Sequence, residues 1–133
     1  MAKVFIGVGH GGSDPGTVSA SGVQEKKLNL LLAAAVAEKF RSKGYQVVLT
    51  REDDRELSLD ARPALAEKYQ ADLFISIHAN SSPTSSPRGI EVFCLSPAGT
   101  ASSNASAVSW TSYPGNRYDA RNIRLGYFMQ TAL

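Results

Sequence analysis

Short apolar runs alternate with longer amphipathic stretches along the first 77 residues of the chain. Three runs rich in β-branched and aromatic residues predict buried strands, at Lys3 to Val8, Tyr45 to Thr50 and Ala71 to Ile77. A helix is predicted between each consecutive pair of strands. Because this strand–helix order favours parallel pairing, we predict an α/β fold, a single domain whose mainly parallel twisted sheet has helices on both faces.

The first helix is predicted from about Gly22 to Lys43. Ser21 and Gln24 have the spacing of a capping box, and Gly44 is a natural stop. Six apolar residues recur at helical spacing and should cover the sheet: Leu28, Leu31, Leu32, Ala35, Val36 and Phe40.

The second helix should follow a charged run from Arg51 to Glu56, which we interpret as a solvated loop. Its start lies near Ser58 or Asp60. Asp60 is the better cap, because Pro63 then falls in the first turn, where its missing N–H does no harm.

Patterns beyond residue 80 are weaker. Ser81 to Pro87, rich in Ser and Pro, should be a mobile surface loop. Gly89 to Leu95 is predicted as a fourth strand, Ala101 to Trp110 as a short helix, and Ile123 to Met129 as a fifth strand.

Composition narrows the class of protein. The 133 residues, 43% hydrophobic and 20% charged, suit one soluble globular domain. A net charge of +2, with no cluster of Lys and Arg, argues against nucleic acid as a partner. The apolar stretch Leu28 to Ala37 is too short to cross a bilayer, and no signal peptide is visible. The single cysteine, Cys94, excludes an internal disulfide and is predicted to be buried in a strand.

The two histidines of the chain each follow a predicted strand. His10 comes just after the first strand and His78 just after the third, while Glu25 falls in the first turn of the long helix. Strand ends and helix starts face the same crevice in an open α/β sheet, so the three side chains can converge. Two imidazoles and one carboxylate form a ligand set of catalytic zinc, which keeps a fourth position open for water.

Each of these residues also has an ordinary interpretation. Considered by itself, Glu25 is a common type of residue in the first turn of a helix, and His78 could be a partly buried imidazole without a metal. A competing motif, Gly7-Val8-Gly9-His10-Gly11-Gly12, matches the G-x-G-x-x-G of dinucleotide-binding folds. However, no helix opens at its third glycine, and the second strand ends at Thr50-Arg51 without an acid for a ribose.

Several segments together resemble the zinc-dependent N-acetylmuramoyl-L-alanine amidases of the amidase-3 family. The resemblance implies zinc bound by His10, Glu25 and His78, and hydrolysis of the amide between N-acetylmuramic acid and L-alanine in peptidoglycan. We also expect Asn80 and Arg51 to contact the substrate. The matching segments run from residue 3 to 95: Gly9 to Gly16, Glu25, Thr50-Arg51, Leu59 to Arg62, Ala71 to Asn80, and Gly89 to Val92.

The chain departs from the family pattern near its C-terminus. The family carries its general base, a glutamate, in a segment resembling Pro-x-x-Leu-x-Glu-x-Gly-Phe, and this chain reaches Leu133 about where that segment would begin. We therefore expect the C-terminal catalytic strand to be absent from residues 1–133 and the base to lie beyond Leu133, with Glu91 as a substitute. The chain should then bind zinc and hydrolyse peptidoglycan weakly.

The resemblance makes peptidoglycan the expected partner, without membrane insertion. The chain is expected to be made in the cytoplasm and to act at the bacterial cell wall as a phage lysin, or to be a domain excised from a secreted autolysin. An open sheet edge would favour self-association. Two rival functions remain open: a catalytically impaired zinc-containing module that binds peptidoglycan, and a dinucleotide-binding domain.

Overall fold

The structure is a computed structural model that describes residues 1–82, 84, 88–102 and 107–133. Its contacts divide the chain into two compact units, residues 1–83 and residues 84–133. Across the described ranges, no helix combines the length and the apolar character needed to cross a membrane. The prediction that residues 1–133 form one amidase domain stays a prediction.

The first unit holds a three-stranded sheet with β1 in the middle. The strand order is β2-β1-β3 and both pairings are parallel, which confirms the predicted α/β fold class. Two helices alternate with the strands along the chain, as the sequence predicted. The elements are β1 (Lys3–Val8), α1 (Glu25–Ser42), β2 (Gln46–Leu49), α2 (Ala61–Lys68) and β3 (Leu73–Ile77).

Strand β1 forms the core because it is buried on both faces. Val4, Ile6 and Val8 are at most 1% exposed and pack in one cluster with Ala33 and Ala37 of α1. Phe5 alternates to the opposite face. There its ring lies 6.0 Å from that of Tyr69, directly after α2, and 5.9 Å from that of Phe74. The strand that leads to His10 is therefore held firmly.

The face that helix α1 turns to the sheet matches the predicted one only in part. Val36 and Phe40 pack against the core as predicted, but Leu28, Leu31 and Leu32 are exposed, and Ala33 and Ala37 are completely buried instead. The inward stripe repeats every four residues and begins at Glu25. Small alanines allow the helix to lie close to the sheet, and this orientation points Glu25 toward the strand ends.

The start of α1 also differs from the prediction. The helix begins at Glu25 with Gln24 as its N-cap, and Gln24 makes no side-chain cap. Ser21 bonds instead to the hydroxyl of Ser19, so the predicted capping box is wrong. Backbone carbonyls of the preceding loop satisfy the free N–H groups of the first turn, since the amides of Glu25 and Lys26 donate to Thr17 and Pro15 respectively.

Helix α2 begins where it was predicted, with Asp60 at the N-cap position and Pro63 in the first turn, but the side chain of Asp60 makes no capping hydrogen bond. The capping hydrogen bond comes from Ser58, whose hydroxyl oxygen accepts from the amide of Ala61 at 3.3 Å.

The second unit has two short strands and one helix. β4 (Thr100–Ala101) pairs antiparallel with β5 (Val108–Ser109), and a 3₁₀ turn (Pro114–Tyr118) leads into α3 (Asp119–Ala132). The helix predicted from Ala101 to Trp110 is wrong where the structure describes it. Residues 103–106 of that prediction lie outside the described residues, as do 83 and 85–87 of the predicted mobile loop.

Two predicted strands are also wrong. Ile123 to Met129 belongs to α3, where Ile123 and Tyr127 stand one helical turn apart. Gly89 to Leu95 forms no strand. Two of its backbone groups bond to the side-chain amide of Gln130 instead, which accepts from the amide of Val92 and donates to the carbonyl of Ile90. Within this segment Cys94 is exposed, contrary to the prediction that it is buried.

Candidate metal centre

The carboxyl ends of β1 and β3 bring the two histidines together. His10 follows β1, His78 follows β3, and the amide of Gly9 donates to the carbonyl of Ile77 at 3.1 Å, which ties the two strand ends together. The imidazole rings lie 5.0 Å apart, nearly perpendicular. His10 has a φ of 61°, an uncommon conformation for a residue other than glycine, which aims its side chain into the crevice.

Glu25 lies between the two imidazoles. One carboxylate oxygen is 3.1 Å from Nε2 of His10, and the other is 3.1 Å from Nδ1 of His78. One ligand atom from each of the three residues lies within 4.8 Å of the others. The structure thus brings together the three residues that the sequence singled out.

The Glu25 carboxylate is buried yet ionised. Burial would raise its pKa, but hydrogen bonds from the backbone amides of Thr17 and Ala79 and from the side chain of Asn29 outweigh this, together with the nearby His10, and hold the pKa at about 2. A fully charged carboxylate beside two imidazoles attracts a cation. A metal ligand must be deprotonated, and Glu25 meets that requirement over the whole physiological range.

Asp14 orients the His10 ring. Its Oδ2 lies 2.7 Å from Nδ1 of His10, and its Oδ1 accepts from the amide of Gly16 at 3.0 Å. The hydrogen bond to His10 lowers the pKa of Asp14. A carboxylate that accepts from one ring nitrogen leaves the other nitrogen unprotonated and free to bind a metal.

Gly16 makes the close approach of His10 and Glu25 possible. It adopts a φ of 66°, and a Cβ added there would lie 2.6 Å from Cδ2 of His10 and 2.7 Å from a carboxylate oxygen of Glu25. Only a residue without a side chain leaves the site open at this point.

Three supporting residues were missed by the sequence reasoning: Asp14, Thr17 and Asn29. Asp14 stands four residues after His10, and Asn29 stands one helical turn after Glu25. A completely buried asparagine on the alanine face of a helix is the signal that pointed to a polar site, but the predicted apolar face obscured it.

Asn80 and Arg51, the two predicted substrate contacts, lie in different surroundings. Asn80 lines an open groove of about 230 Å³ that also borders Glu25 and Leu28. Arg51 is 2% exposed, and its guanidinium donates to backbone carbonyls. Asn80 is therefore placed to contact a molecule in the groove, whereas burial keeps the Arg51 guanidinium from reaching one.

The start of α1 does not suit a dinucleotide. In such folds the helix opens at the glycine motif and its free amides bind the pyrophosphate. Here α1 begins at Glu25, far beyond Gly12, and the loop carbonyls of Pro15 and Thr17 already accept from its first amides.

Comparison with known proteins identifies the family. The model of the amidase-3 family, described as N-acetylmuramoyl-L-alanine amidase, matches residues 4–129. The chain belongs to this family. It is 36% identical over 124 residues to the N-acetylmuramoyl-L-alanine amidase AmiC of Neisseria meningitidis serogroup B, a match that covers 86% of this chain and 30% of AmiC. It is 43% identical over 90 residues to the amidase LytC of Bacillus subtilis, covering 68% of this chain and 18% of LytC.

A solved structure agrees with this assignment. The catalytic domain of CwlV, an N-acetylmuramoyl-L-alanine amidase from Bacillus (Paenibacillus) polymyxa var. colistinus, superimposes with a TM-score of 0.68 at 40% identity, covering 74% of this chain and 56% of that one. The chain therefore spans only part of the length of these relatives.

Proposed function

We propose that this chain binds zinc through His10, Glu25 and His78 and hydrolyses the amide bond between N-acetylmuramic acid and L-alanine in the peptidoglycan of the bacterial cell wall. The observation that carries the proposal is the convergence of three ligand atoms within 4.8 Å in a chain of the amidase-3 family. Two imidazoles and one carboxylate suit zinc by the chemistry of the donors, and three protein ligands leave a position for water.

The protein side of the chemistry follows from the hydrogen bonds of the ligands. Bound zinc would supply a polarised carbonyl and a water of lowered pKa. Asp14 keeps the Nε2 atom of His10 in the state that binds a cation, and the amides of Thr17 and Ala79 hold one oxygen each of Glu25. These contacts fix the ligands before the metal arrives, which lowers the cost of assembling the site.

The groove beside Glu25 offers a place for the substrate. Thr17 and Asn80 border it with polar groups, and Val18, Val23 and Leu28 border it with apolar surface. A mixed lining of this kind suits a neutral acyl or peptide segment. We propose that Asn80 contacts the substrate here.

Hydrolysis also requires a general base. Glu91 is the candidate that the sequence offers, and the alternative is that another group serves as the base. Removal of a general base typically lowers the rate by about 10²- to 10⁴-fold. Glu91→Gln at full zinc content should show that loss if Glu91 is the base, and should keep the parent's rate if the base lies elsewhere.

The proposal is tested by zinc content and product analysis on the same preparation. We expect one zinc per chain by elemental mass spectrometry. We also expect stem peptides with a free N-terminal L-alanine, detected by mass spectrometry after incubation with purified peptidoglycan. His78→Ala should lose both the zinc and the peptides, because two protein ligands rarely hold this metal.

Cys94→Ser is the matched control, because it removes an exposed thiol, a type of group that can ligate zinc, from outside the proposed site. It should keep the zinc of the parent. Absence of zinc from the parent after purification in zinc-replete buffer contradicts the proposal, and so does loss of zinc from Cys94→Ser.

If the chain is instead a catalytically impaired module that binds peptidoglycan, zinc binding and peptide release should be separated. Such a chain would bind zinc and sediment with peptidoglycan, yet release no peptides even at high enzyme concentration. Self-association through the sheet edge at β2 or β3 also stays a prediction, and sedimentation velocity of the zinc-loaded chain measures it.

A further inference from the structure

Arg51 is among the largest completely buried side chains of the described residues, and it follows β2 on a loop that the sequence predicted to be solvated. Burial of a guanidinium is costly unless its N–H groups find partners. Its partners therefore show what the residue is for.

The Arg51 guanidinium joins the two segments that carry metal ligands. Its Nη2 atom donates to the carbonyl of Gly9 at 2.9 Å and to the carbonyl of Lys26 at 2.8 Å. Gly9 immediately precedes His10, and Lys26 immediately follows Glu25. A single nitrogen thus bridges the end of β1 and the first turn of α1.

Neighbouring contacts strengthen the same bridge. The Nη1 atom of Arg51 donates to the carbonyl of Asp53 at 2.9 Å, which orders the following loop. From that loop Asp54 pairs at 2.7 Å with the side chain of Lys26. The side-chain amide of Asn29 donates to the Gly9 carbonyl at 3.3 Å, so the side chains of Asn29 and Arg51 both hold this carbonyl.

We infer that Arg51 is a positioning residue that sets the separation of His10 and Glu25, and with it the affinity of the site for zinc. The inference rests on the proposed zinc function. Arg51 acts through the backbone of the adjacent residues and does not touch the substrate. Lysine cannot replace it, because the single nitrogen of an ammonium cannot stand at both positions from which the two guanidinium nitrogens reach the bridged carbonyls and the Asp53 carbonyl.

Arg51→Lys and Arg62→Lys form a matched pair for the test. Arg62 is also buried, at 7% exposure, and donates to the carbonyl of Leu57, a residue that neighbours none of the three ligands in the chain. Each substitution replaces a buried guanidinium with an ammonium, but only Arg51 bridges the ligand segments. Zinc affinity is measured by competition with a chromophoric chelator, and the free energy of unfolding of the zinc-free chain by urea titration.

We expect Arg51→Lys to lower zinc affinity by about 10- to 100-fold, the usual loss for an outer partner of a metal site. Arg62→Lys should keep the parent's affinity even where it loses as much stability. In the cobalt-substituted chain, the visible d–d bands of Arg51→Lys should shift at metal saturation, whereas those of Arg62→Lys should match the parent.

Parental zinc affinity in Arg51→Lys overturns the inference, as does an equal loss of affinity in Arg62→Lys. If Arg51→Lys folds only when metal is added, zinc titration followed by circular dichroism replaces the chelator assay. The zinc concentration at the midpoint of folding should then be at least about tenfold higher for Arg51→Lys than for Arg62→Lys, once urea has brought Arg62→Lys to the same zinc-free stability. Equal midpoint concentrations in the two variants contradict the inference. Failure of the parent to bind zinc would instead reject the proposed function.

Discussion

The two compact units differ in how they bury side chains. In residues 1–83 the central strand is at most 1% exposed at Val4, Phe5, Ile6 and Val8. Among the described residues of 84–133 none is buried, and Phe128 keeps 55% of its surface exposed. The residues proposed to bind zinc all belong to the first unit.

The difference teaches where a metal site can be built. A site with three ligands needs donors held within a fraction of an ångström, and buried strands provide that support. Strands β4 and β5 have two residues each and form a pair that is marginal by itself. The two units are therefore expected to respond very differently to the same substitution.

The largest contrast is expected for loss of a phenylalanine. Phe5→Ala removes a completely buried ring and should lower the free energy of unfolding by about 3–5 kcal/mol. Phe128→Ala removes a half-exposed ring and should cost roughly 0.5 kcal/mol, as surface substitutions do. Urea unfolding of both variants measures the contrast, and equal losses would show that the units do not differ as described.

A second contrast concerns charge at the metal site. Glu25→Gln keeps the shape of the ligand but removes the charge that offsets the metal. We expect zinc affinity to fall by more than about 100-fold, which exceeds the loss usual for residues that hydrogen-bond to metal ligands. The loss in the free energy of zinc binding should also exceed the loss in the free energy of unfolding. Glu91→Gln, the same change in the second unit, should leave zinc affinity unchanged. Competition titration with a chelator measures both, and parental affinity in Glu25→Gln would mean that Glu25 is an ordinary helix-start residue.

The smallest contrast concerns the orientation of His10. In Asp14→Asn the side-chain oxygen is still needed by the amide of Gly16, so the NH₂ group faces Nδ1 of His10. This favours the tautomer with its proton on Nε2, the atom needed for the metal, and zinc affinity should fall by about tenfold.

Asp119→Asn is the control from the second unit, where Asp119 accepts from the side chain of Asn116. Its zinc affinity should equal that of the parent. A tenfold loss in both variants would point to a general effect of negative charge and against a specific role of Asp14.

The success of sequence reasoning also differs between the units. The strands and helices up to Ile77 were located closely, because short apolar runs and longer amphipathic stretches are local signals of strands and helices. In the second unit the Ile123 to Met129 segment was predicted as a strand but lies in α3, where a Cβ added at Gly126 would stand 3.7 Å from that of Cys94.

By itself, the amino-acid sequence determined the parallel α/β plan and the convergence of His10, Glu25 and His78. Strand ends and helix starts meet at one edge of such a sheet whatever the details of packing. Only the tertiary structure decided that the alanine face of α1 is buried, that Asn29 and Asp14 support the ligands, and that Arg51 lies inside. Those outcomes depend on which distant backbone carbonyls come within hydrogen-bonding distance, and no local pattern of polar and apolar residues records that.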